Sequence, residues 1–431
     1  MGQSVLTGTG VFRREGGVLQ CEGVSLEAIA AVAGTPCYVY SAGTIRDRYA
    51  QLAGALTDVP HRIHYTLKAN ANAAILRLLR ELGAGVDVVS GGELHRALRA
   101  GFRGQDIIFG GVGKTAQELR EGLEADVLFF NVESEAELIL LDRIAAELGR
   151  TARVSLRVNP EITVEAAHEY IKTGQKGAKF GIPYDEVLPA ARVARDLPNT
   201  ELVGLDMHLG SQLFSLEPYL AGTERLVLLC LALRREGVDT LRYLDIGGGL
   251  AVRYEDESLP DLTQFSELLV PGVAQTGLQL VMEPGRFMVG NSGMLVTRVL
   301  YRKRSGGKEH LVCDAGMTEL LRPSHYNAYH RIEAVRARSE VMVADVVGPV
   351  CESGDFLALD RQLEAVHPGD LLAVFDAGAY GYVMSSNYNA RPRAAEVLVD
   401  GDRWAVVTAR ERYEDLVRHE LPDPEWHGKE R

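Results

Sequence analysis

One lysine stands at the end of a predicted strand, where its amine could do chemistry. The run His64-Tyr65-Thr66-Leu67-Lys68-Ala69-Asn70 closes an alternating pattern that begins at His61 and is typical of a strand. Burying an ammonium without a partner is costly, and desolvation depresses the pKa of a lysine and frees its amine for attack on a carbonyl. Lys68 is therefore either a surface lysine at a strand end or the amine of a Schiff base.

Two further segments offer groups that would bind an anion and a ring nitrogen. Asp245-Ile246-Gly247-Gly248-Gly249 follows a predicted strand, and successive glycines let backbone N–H groups converge on an anion, although a tight turn is the alternative. Glu283-Pro284-Gly285-Arg286 offers a carboxylate and a guanidinium, with a surface ion pair as the alternative. An amine, an anion-binding turn and an acid are together what pyridoxal phosphate requires for attachment, for its phosphate and for a protonated pyridine nitrogen.

Polar groups also occur in four other segments. In His208-Leu209-Gly210-Ser211-Gln212, His208 would stack on a ring face and Ser211 would donate to a phosphate. Arg322 suits bidentate binding of a carboxylate. Three of these segments lie in the C-terminal part of the chain, and each is typical of a turn when it is considered alone. Cys351, considered alone, is typical of a small buried hydrophobic residue. These segments are Arg322-Pro323-Ser324-His325-Tyr326, Cys351-Glu352-Ser353-Gly354-Asp355 and Ala377-Gly378-Ala379-Tyr380-Gly381.

Alternating strand and helix patterns predict the element that positions these groups. Eight predicted strands end at residues 64–65, 86–90, 107–110, 128–131, 154–159, 205–208, 244–247 and 280–283. Eight βα units predict a (β/α)8 barrel of the TIM type over residues 43–286. Chemistry in this fold lies at the C-terminal ends of the strands. Those ends carry Lys68, Asp87, Ser90, Asn131, Arg157, Asn159, His208, Gly247 to Gly249, Glu283 and Arg286.

The predicted secondary structure changes after Arg286, where helical patterns become scarce and strand patterns predominate. Strands are predicted at residues 294–304, 309–317, 341–350, 371–377, 396–399 and 404–407. Residues 1–42 are predicted to form a small β-rich segment with a hairpin turn at Gly16-Gly17. We therefore predict an antiparallel β domain of residues 287–431 joined by residues 1–42. A long connection over residues 168–181 predicts a loop that covers the site, with a disordered surface insertion as the alternative.

Composition limits the class of protein. The chain has 431 residues, of which 46% are hydrophobic, and this length suits two domains. A net charge of −13 without a basic patch argues against a nucleic-acid or anionic-membrane partner. Five scattered cysteines give no disulfide framework and no zinc or other metal site, which fits a reducing compartment. With no signal pattern and no apolar stretch long enough to span a bilayer, we expect a cytoplasmic protein.

Over nearly its whole length the chain resembles the diaminopimelate decarboxylases, a family of fold-type III pyridoxal-phosphate-dependent decarboxylases. The resemblance is carried by Tyr65-Thr66-Leu67-Lys68-Ala69-Asn70, His208-Leu209-Gly210-Ser211-Gln212, Gly247-Gly248-Gly249, Glu283-Pro284-Gly285-Arg286, Arg322-Pro323, Cys351-Glu352-Ser353-Gly354-Asp355 and Ala377-Gly378-Ala379-Tyr380-Gly381. It implies pyridoxal 5'-phosphate as cofactor. It also implies decarboxylation of meso-2,6-diaminopimelate to L-lysine and carbon dioxide, the last step of lysine biosynthesis.

The resemblance further implies roles for single residues. Lys68 would form the Schiff base with the cofactor. Cys351 looks like the proton donor, which reaches the other subunit's barrel in a head-to-tail homodimer with shared active sites. The implied cofactor-binding residues are Lys68, Asp87, His208, Ser211, Gly247, Gly248, Gly249, Glu283, Pro284, Gly285, Arg286 and Tyr380. The implied substrate-binding residues are Arg286, Arg322, Tyr326, Glu352 and Tyr380.

Two other functions stay open. A decarboxylase of ornithine, arginine or a D-amino acid would use the same scaffold, but the cationic Arg322 favours a substrate with a second carboxylate. A non-catalytic protein that only binds pyridoxal phosphate is the other alternative. The joint presence of Lys68, Cys351 and Tyr380 argues against it.

Overall fold

This computed structural model describes residues 11–163 and 173–427, and the N-terminal part forms the predicted β-rich segment. Strands β1 (Phe12–Glu15) and β2 (Val18–Cys21) pair antiparallel around the predicted glycine turn, and β3 (Val24–Ser25) adds a short third strand. Helix α1 (Leu26–Ala33), strand β4 (Cys37–Ser41) and helix α2 (Ala42–Ala55) then lead to the barrel.

Eight parallel strands close into the predicted barrel. They are β5 (His61–Thr66), β6 (Gly85–Val88), β7 (Ile107–Phe109), β8 (Phe129–Val132), β9 (Ala152–Asn159), β11 (Thr200–Met207), β12 (Tyr243–Asp245) and β13 (Gln279–Met282). Strand β13 pairs with β5 and so closes the ring. A two-residue strand, β10 (Ile182–Pro183), extends the sheet beside the end of β9. The eight predicted strands and the barrel are therefore confirmed.

Helices surround the barrel strands. They are α3 (Ala73–Glu81), α4 (Gly91–Arg99), α5 (Ala116–Glu124), α6 (Glu135–Leu148), α7 (Val187–Asp196), α8 (Glu217–Arg235) and α9 (Leu262–Ala274). Several begin at a side chain that accepts a backbone N–H, such as Asn72 at α3 and Ser90 at α4. Their apolar faces pack on the strands in one continuous core. No helix in the described ranges is long and apolar enough to cross a membrane.

A second large sheet follows the barrel. After the short helix α10 (Arg286–Val289), its elements are β14 (Gly293–Ser305), β15 (Lys308–Cys313), α11 (Arg322–Tyr326), β16 (Ile332–Ala334), β17 (Val341–Val347), β18 (Phe356–Glu364), β19 (Leu371–Val374), β20 (Ala395–Asp400), β21 (Arg403–Thr408) and α12 (Tyr413–Val417). The strand order is β18-β17-β15-β14-β4-β20-β21, and β19 pairs with both β14 and β16. The N-terminal segment therefore joins this sheet, as predicted.

The second sheet differs from the prediction first in its strand directions, because it is mixed and not wholly antiparallel. Strands β15 and β17 pair in parallel, since the chain between them crosses over through α11 and β16 and does not turn back as a hairpin. Strand β20 also runs parallel to β4. The prediction also missed β16 and β18. Residues 168–172 of the predicted covering loop lie outside the described residues, whereas 173–181 are described.

Candidate active site

A cavity of about 630 Å³ opens where the C-terminal ends of the barrel strands face the second sheet. The predicted site residues on its wall are Lys68, His208, Ser211, Arg286, Arg322, Tyr326 and Tyr380. A small recess shares Lys68 and Arg286 with this cavity and is also lined by Gly249, Glu283, Pro284 and Gly285. The amine of Lys68 and the glycine turn therefore face one common space, as the cofactor hypothesis requires.

Lys68 is held by the strand that precedes it and by contacts from two sides. Strand β5 ends at Thr66, and Lys68 lies in the single 3-10 turn that follows. The Thr66 hydroxyl donates to Asp87 Oδ2 over 2.6 Å, which joins β5 to β6. The Tyr380 N–H donates to the Ala69 carbonyl over 2.8 Å, so the second sheet is attached directly to this turn.

The charge environment of Lys68 is more acidic than the sequence suggested. Burial lowers the pKa of Lys68, but the nearby Asp87, Tyr380 and Glu283 raise it, and the net pKa lies above its ordinary value. The predicted depression of this pKa is therefore wrong for the protein without cofactor. Desolvation alone would depress the pKa of Lys68, but the neighbouring acids favour the ammonium and outweigh the effect of burial.

Three buried carboxyl groups meet at the ends of β11, β12 and β13. Oxygen atoms of Asp206, Asp245 and Glu283 all lie within 4.8 Å of one another. Burial raises the pKa of each group, with repulsion between the carboxylates adding to the effect at Asp206 and Glu283, and the pKa of Asp245 reaches about 7. Asp206 Oδ1 and Asp245 Oδ2 are buried without a hydrogen-bond partner among the described residues. This excess of acid fits a ligand that presents a cationic N–H group to Glu283.

The glycine turn is packed closely against neighbouring backbone and has no space for side chains at Gly248 and Gly249. A Cβ atom on Gly248 would lie 2.2 Å from the Glu283 carbonyl oxygen, and one on Gly249 would lie 2.3 Å from the Gly210 carbonyl oxygen. Among the described residues, the Gly249 N–H has no acceptor. The Ser211 hydroxyl accepts from Arg286 and keeps its own proton free to donate. These donors fit a phosphate group.

His208 is neutral, with a defined tautomer. The Gly248 N–H donates to its Nδ1 atom over 3.3 Å, so the single ring proton is on Nε2. Burial, followed by the Lys68 and Arg157 cations, lowers the pKa of His208 well below its ordinary value. A neutral imidazole on the cavity wall fits contact with the face of an aromatic ring.

Two cavity-lining arginines are held by neutral partners. Arg286 donates to Ser211 Oγ over 3.3 Å and to the Tyr254 hydroxyl over 2.8 Å, and it lies 4.7 Å above the Tyr380 ring. Arg322 contacts His330 Nε2 at 2.8 Å and lies 4.5 Å above the Tyr254 ring. Neither guanidinium pairs with a carboxylate in the described ranges of the chain. Both therefore keep their charge available for an anion.

Arg157 lies on the same wall but shows the opposite arrangement. It donates to Glu133 Oε1 over 2.7 Å and approaches Asp206 Oδ2 at 3.8 Å. The Phe180 ring lies 5.0 Å from its guanidinium carbon. Because its charge is neutralised by acids, Arg157 supports the cavity wall, and Arg286 and Arg322 are the better anion-binding groups.

Several predicted residues do not line the cavity. Asp87 is buried behind it, next to Thr66, and Gly247 and Gly248 form the back of the glycine turn. Cys351 and Glu352 are exposed on the connection between β17 and β18, away from the cavity wall of the same chain. Cys351 is thus not the buried hydrophobic residue that its sequence context alone would suggest.

Sequence reasoning missed two residues that organise the cavity. Tyr254 contacts both Arg286 and Arg322, and its short distance in sequence from the glycine turn was a usable signal. His330 holds Arg322 from behind. No pattern in the sequence marked it, because a lone histidine before a short strand is most often structural.

The residues present fit pyridoxal 5'-phosphate. Lys68 offers the amine, Glu283 an acid for the ring nitrogen, and His208 a neutral surface for the ring face. Ser211 and the turn at Gly249 offer donors for the phosphate.

The chain is similar to known proteins of one class. Residues 42–290 match the family model described as the pyridoxal binding domain of pyridoxal-dependent decarboxylases. The chain is 48% identical over 403 residues to a diaminopimelate decarboxylase of Pseudomonas aeruginosa, covering 93% of this chain and 96% of that protein. It is 45% identical over 407 residues to one of Aquifex aeolicus, with 94% and 96% covered.

Solved structures agree with these relatives. A diaminopimelate decarboxylase from Helicobacter pylori in complex with L-lysine is 40% identical with a TM-score of 0.88, and 91% of this chain and 98% of that chain are covered. One from M. jannaschii, also in complex with L-lysine, is 35% identical with a TM-score of 0.92, and 97% and 99% are covered. The chain belongs to the diaminopimelate decarboxylase family of pyridoxal-dependent decarboxylases.

Proposed function

We propose that this protein is a carboxy-lyase that converts meso-2,6-diaminopimelate to L-lysine and carbon dioxide, the last step of lysine biosynthesis. The observation that carries the proposal is the pair of guanidiniums, Arg286 and Arg322, with only neutral partners in the cavity that also holds Lys68. The relatives solved in complex with L-lysine support the same choice of product.

The charge at the distal end of the cavity separates the candidate substrates. The distal end of meso-2,6-diaminopimelate carries both a carboxylate and an ammonium, which require opposite charges in one pocket. Arg322 supplies the cation, and Glu352 is the acid proposed for the ammonium. A decarboxylase of ornithine needs only the acid there, so a buried Arg322 without a carboxylate partner in the described chain favours the dicarboxylate.

The residues of the chain prepare the reaction. When bound, pyridoxal phosphate supplies an aldehyde for the substrate amine and a ring that takes up the electron pair left by the departing carboxylate. Lys68 would hold it covalently, Glu283 would keep a proton at the ring nitrogen, and His208 would pack on the ring face. Ser211, Arg286, Tyr380 and the turn of Gly247, Gly248 and Gly249, followed by Pro284 and Gly285, would orient the phosphate end.

The substrate would be oriented by Arg286, Arg322, Tyr326 and Tyr380. Arg322 would bind the distal carboxylate, and its buried position excludes water from that ion pair. After carbon dioxide leaves, Cys351 Sγ would give its proton to the α carbon. Asp87 supports this arrangement from behind, since its bond with Thr66 fixes the strand end that carries Lys68.

Cys351 and Glu352 reach the site in this proposal from a second copy of the chain. Both residues are exposed and absent from the cavity wall of their own chain. A head-to-tail homodimer would place them at the partner's cavity and would make two shared active sites.

The proposal assigns separate roles to two structural units of the chain. Residues 43–286 form the cofactor-binding unit, and residues 1–42 with 287–431 form a β-rich unit that serves the substrate site and the dimer interface. The place of β4 between β14 and β20 supports assigning the N-terminal segment to the second unit. The cytoplasm is the proposed compartment, which agrees with five cysteines that are all free.

Release of carbon dioxide from a panel of amino acids tests this function. We expect rapid release from meso-2,6-diaminopimelate and little from ornithine, arginine or D-amino acids. Release of carbon dioxide only from ornithine, arginine or D-amino acids would show that the proposed substrate is wrong. If none of the amino acids released carbon dioxide although cofactor absorbance was present, a binding protein without turnover would be favoured.

A further inference from the structure

His330 is a fully buried histidine that contacts the arginine proposed to bind the distal carboxylate. Its Nε2 atom lies 2.8 Å from Arg322 Nη1, and its Nδ1 atom lies 2.7 Å from the Phe375 carbonyl oxygen. The Tyr254 ring packs edge-on against the imidazole, with ring centroids 5.5 Å apart. His330 lies just before β16, so the second sheet fixes its position.

These two contacts determine the protonation state of His330. A guanidinium has only donors and a carbonyl oxygen only accepts, so Nε2 must accept from Arg322 while Nδ1–H donates to Phe375. The imidazole is therefore neutral. Its surroundings agree, since burial and then the Arg322 cation lower the pKa of His330 well below its ordinary value.

A neutral partner has a different effect on Arg322 from that of an acid. His330 and the Tyr254 ring face fix the guanidinium in one orientation without cancelling its charge. Glu133 and Asp206, by contrast, neutralise Arg157 in the same cavity. Holding Arg322 with a carboxylate would leave a pocket that repels the distal carboxylate of the proposed substrate.

We propose that His330 is a positioning residue that determines specificity, because it orients Arg322 for a distal carboxylate and leaves its charge intact. This inference rests on the proposed function, since it concerns the same site. It predicts that replacing His330 lowers the affinity for ligands that carry a distal carboxylate. The affinity for ligands of similar size and shape that lack this carboxylate should stay nearly unchanged.

Two ligands provide a matched pair for the test. L-lysine bound through its side-chain amine places its carboxylate at the distal end, whereas pentane-1,5-diamine has the same chain and amines but no carboxylate. Their dissociation constants are measured on the holoenzyme from the change in cofactor absorbance, which requires no turnover. In the wild type we expect L-lysine to bind at least about tenfold more tightly than the diamine.

Two substitutions distinguish the effect of losing the hydrogen-bond acceptor of His330 from the effect of changing the side-chain volume. His330→Phe keeps a ring but removes the acceptor, and we expect the affinity for L-lysine to fall at least about tenfold while that for the diamine stays within about twofold. His330→Gln restores an acceptor, so we expect L-lysine affinity within about threefold of the wild type. In an Arg322→Lys background, His330→Phe should change the ratio of the two affinities no further.

Several outcomes would overturn the inference. It is overturned if His330→Phe weakens both ligands equally, if it weakens neither, or if His330→Gln behaves like His330→Phe. A wild type that does not distinguish the two ligands also overturns it, whether or not meso-2,6-diaminopimelate is decarboxylated. Failure of the proposed function shows separately, as absence of carbon dioxide from that substrate while the preference for L-lysine persists.

Discussion

The partners of each buried arginine decide what it can do in this cavity. Arg157 contacts Glu133 and Asp206 and is neutralised, whereas Arg286 and Arg322 contact hydroxyl groups, an imidazole and aromatic rings. Desolvating a cation without an acid is unfavourable by itself. The cost is offset when an anionic ligand binds, so these two residues mark where phosphate and carboxylate groups are expected.

Replacing Lys68 by alanine should remove both attachment of the cofactor and turnover. We expect at least about a hundredfold loss of carbon dioxide release, together with loss of the protein adduct that borohydride reduction fixes. Lys308→Ala is the matched control, because Lys308 is half exposed and bonded to Asp360 on the second sheet. A reducible adduct that persists in Lys68→Ala would show that another lysine holds the cofactor.

The acidic group around Asp245 should make the stability of the cofactor-free protein depend on pH. Asp245 loses its proton near 3.8 when unfolded, but burial raises its pKa to about 7 in the folded protein. Folding therefore binds a proton between these values, so the free energy of unfolding falls as pH rises through this window. The contribution is a few kcal/mol at most, present in full at low pH and lost above about pH 7.

Asp245→Asn should remove that contribution while keeping an acceptor for the Gly247 N–H. We expect the melting temperature of the cofactor-free variant to fall less between about pH 5 and about pH 8 than that of the wild type. Asp402→Asn, at an exposed position, makes the same charge change and should leave the pH dependence as in the wild type. Equal slopes for Asp245→Asn and wild type would contradict the prediction.

Single residues were predictable where chemistry and strand ends coincide. Lys68, His208, Glu283 and Arg286 were identified because each ends a barrel strand or its turn, and the structure brings them to one space. The direction of the Lys68 pKa was not predictable, since it depends on acids from three other parts of the chain. His330 was missed for the same reason, because its partner Arg322 becomes its neighbour only through the fold.

At the scale of elements, the glycine turn after β12 is closely packed against the end of β13. A methyl group on Gly248 would overlap the Glu283 carbonyl oxygen at 2.2 Å, and neither backbone segment can yield without moving the other. Gly248→Ala should therefore lower cofactor affinity by at least about tenfold and reduce thermal stability. Cofactor titration and thermal denaturation measure the two effects.

Gly54→Ala in helix α2 is the control for this substitution, because its added methyl group meets no atom within 4 Å. An alanine there should leave cofactor affinity unchanged and stabilise the helix slightly. If Gly248→Ala bound the cofactor as tightly as Gly54→Ala, the close packing of the turn would not matter for the phosphate site.

Elements were predictable wherever the hydrophobic pattern was regular. All eight barrel strands were found, since each is a short apolar or alternating run between helical patterns. Strand β18 was missed because its pairing with β17 is irregular, with register shifts near Val346 and a positive φ of 46° at Asp360. Charged residues in the middle of this strand hid the alternation that marks a half-buried strand.

At the scale of the whole molecule, the proposed homodimer should restore activity from two inactive variants. Mixed dimers of Lys68→Ala and Cys351→Ala chains would contain one site with both residues intact and one with neither. Random association makes half of the dimers mixed, so co-expression should recover about a quarter of wild-type activity. Carbon dioxide release from the purified mixture measures the recovery.

The control pairs Lys68→Ala with Glu283→Gln. Both residues line the cavity of the same chain, so no mixed dimer contains an intact site and no recovery is expected. If Lys68→Ala with Cys351→Ala also gave no recovery although mixed dimers formed, Cys351 would not act across the interface.

The closed barrel was predictable as a whole because repeated βα units define it, but the architecture of the second sheet was not. Its strands come from both ends of the chain, and no local pattern shows that β4 lies between β14 and β20. The cavity depends on this arrangement, since Tyr380 and Arg322 are carried by the second sheet and its connections.

The central place of β4 also constrains how the chain is completed during synthesis. Cys37 pairs with Val296 on one side and with Ala395 on the other, so this early segment has both partners only after β20 has been made. The barrel strands all precede β14 in the chain, so the nascent barrel can assemble before β4 has either neighbour, and one edge of β4 stays unpaired until β20 is made. Synthesis of β20, and not formation of the barrel, is therefore the step after which the sheet beside the cavity can be completed around β4.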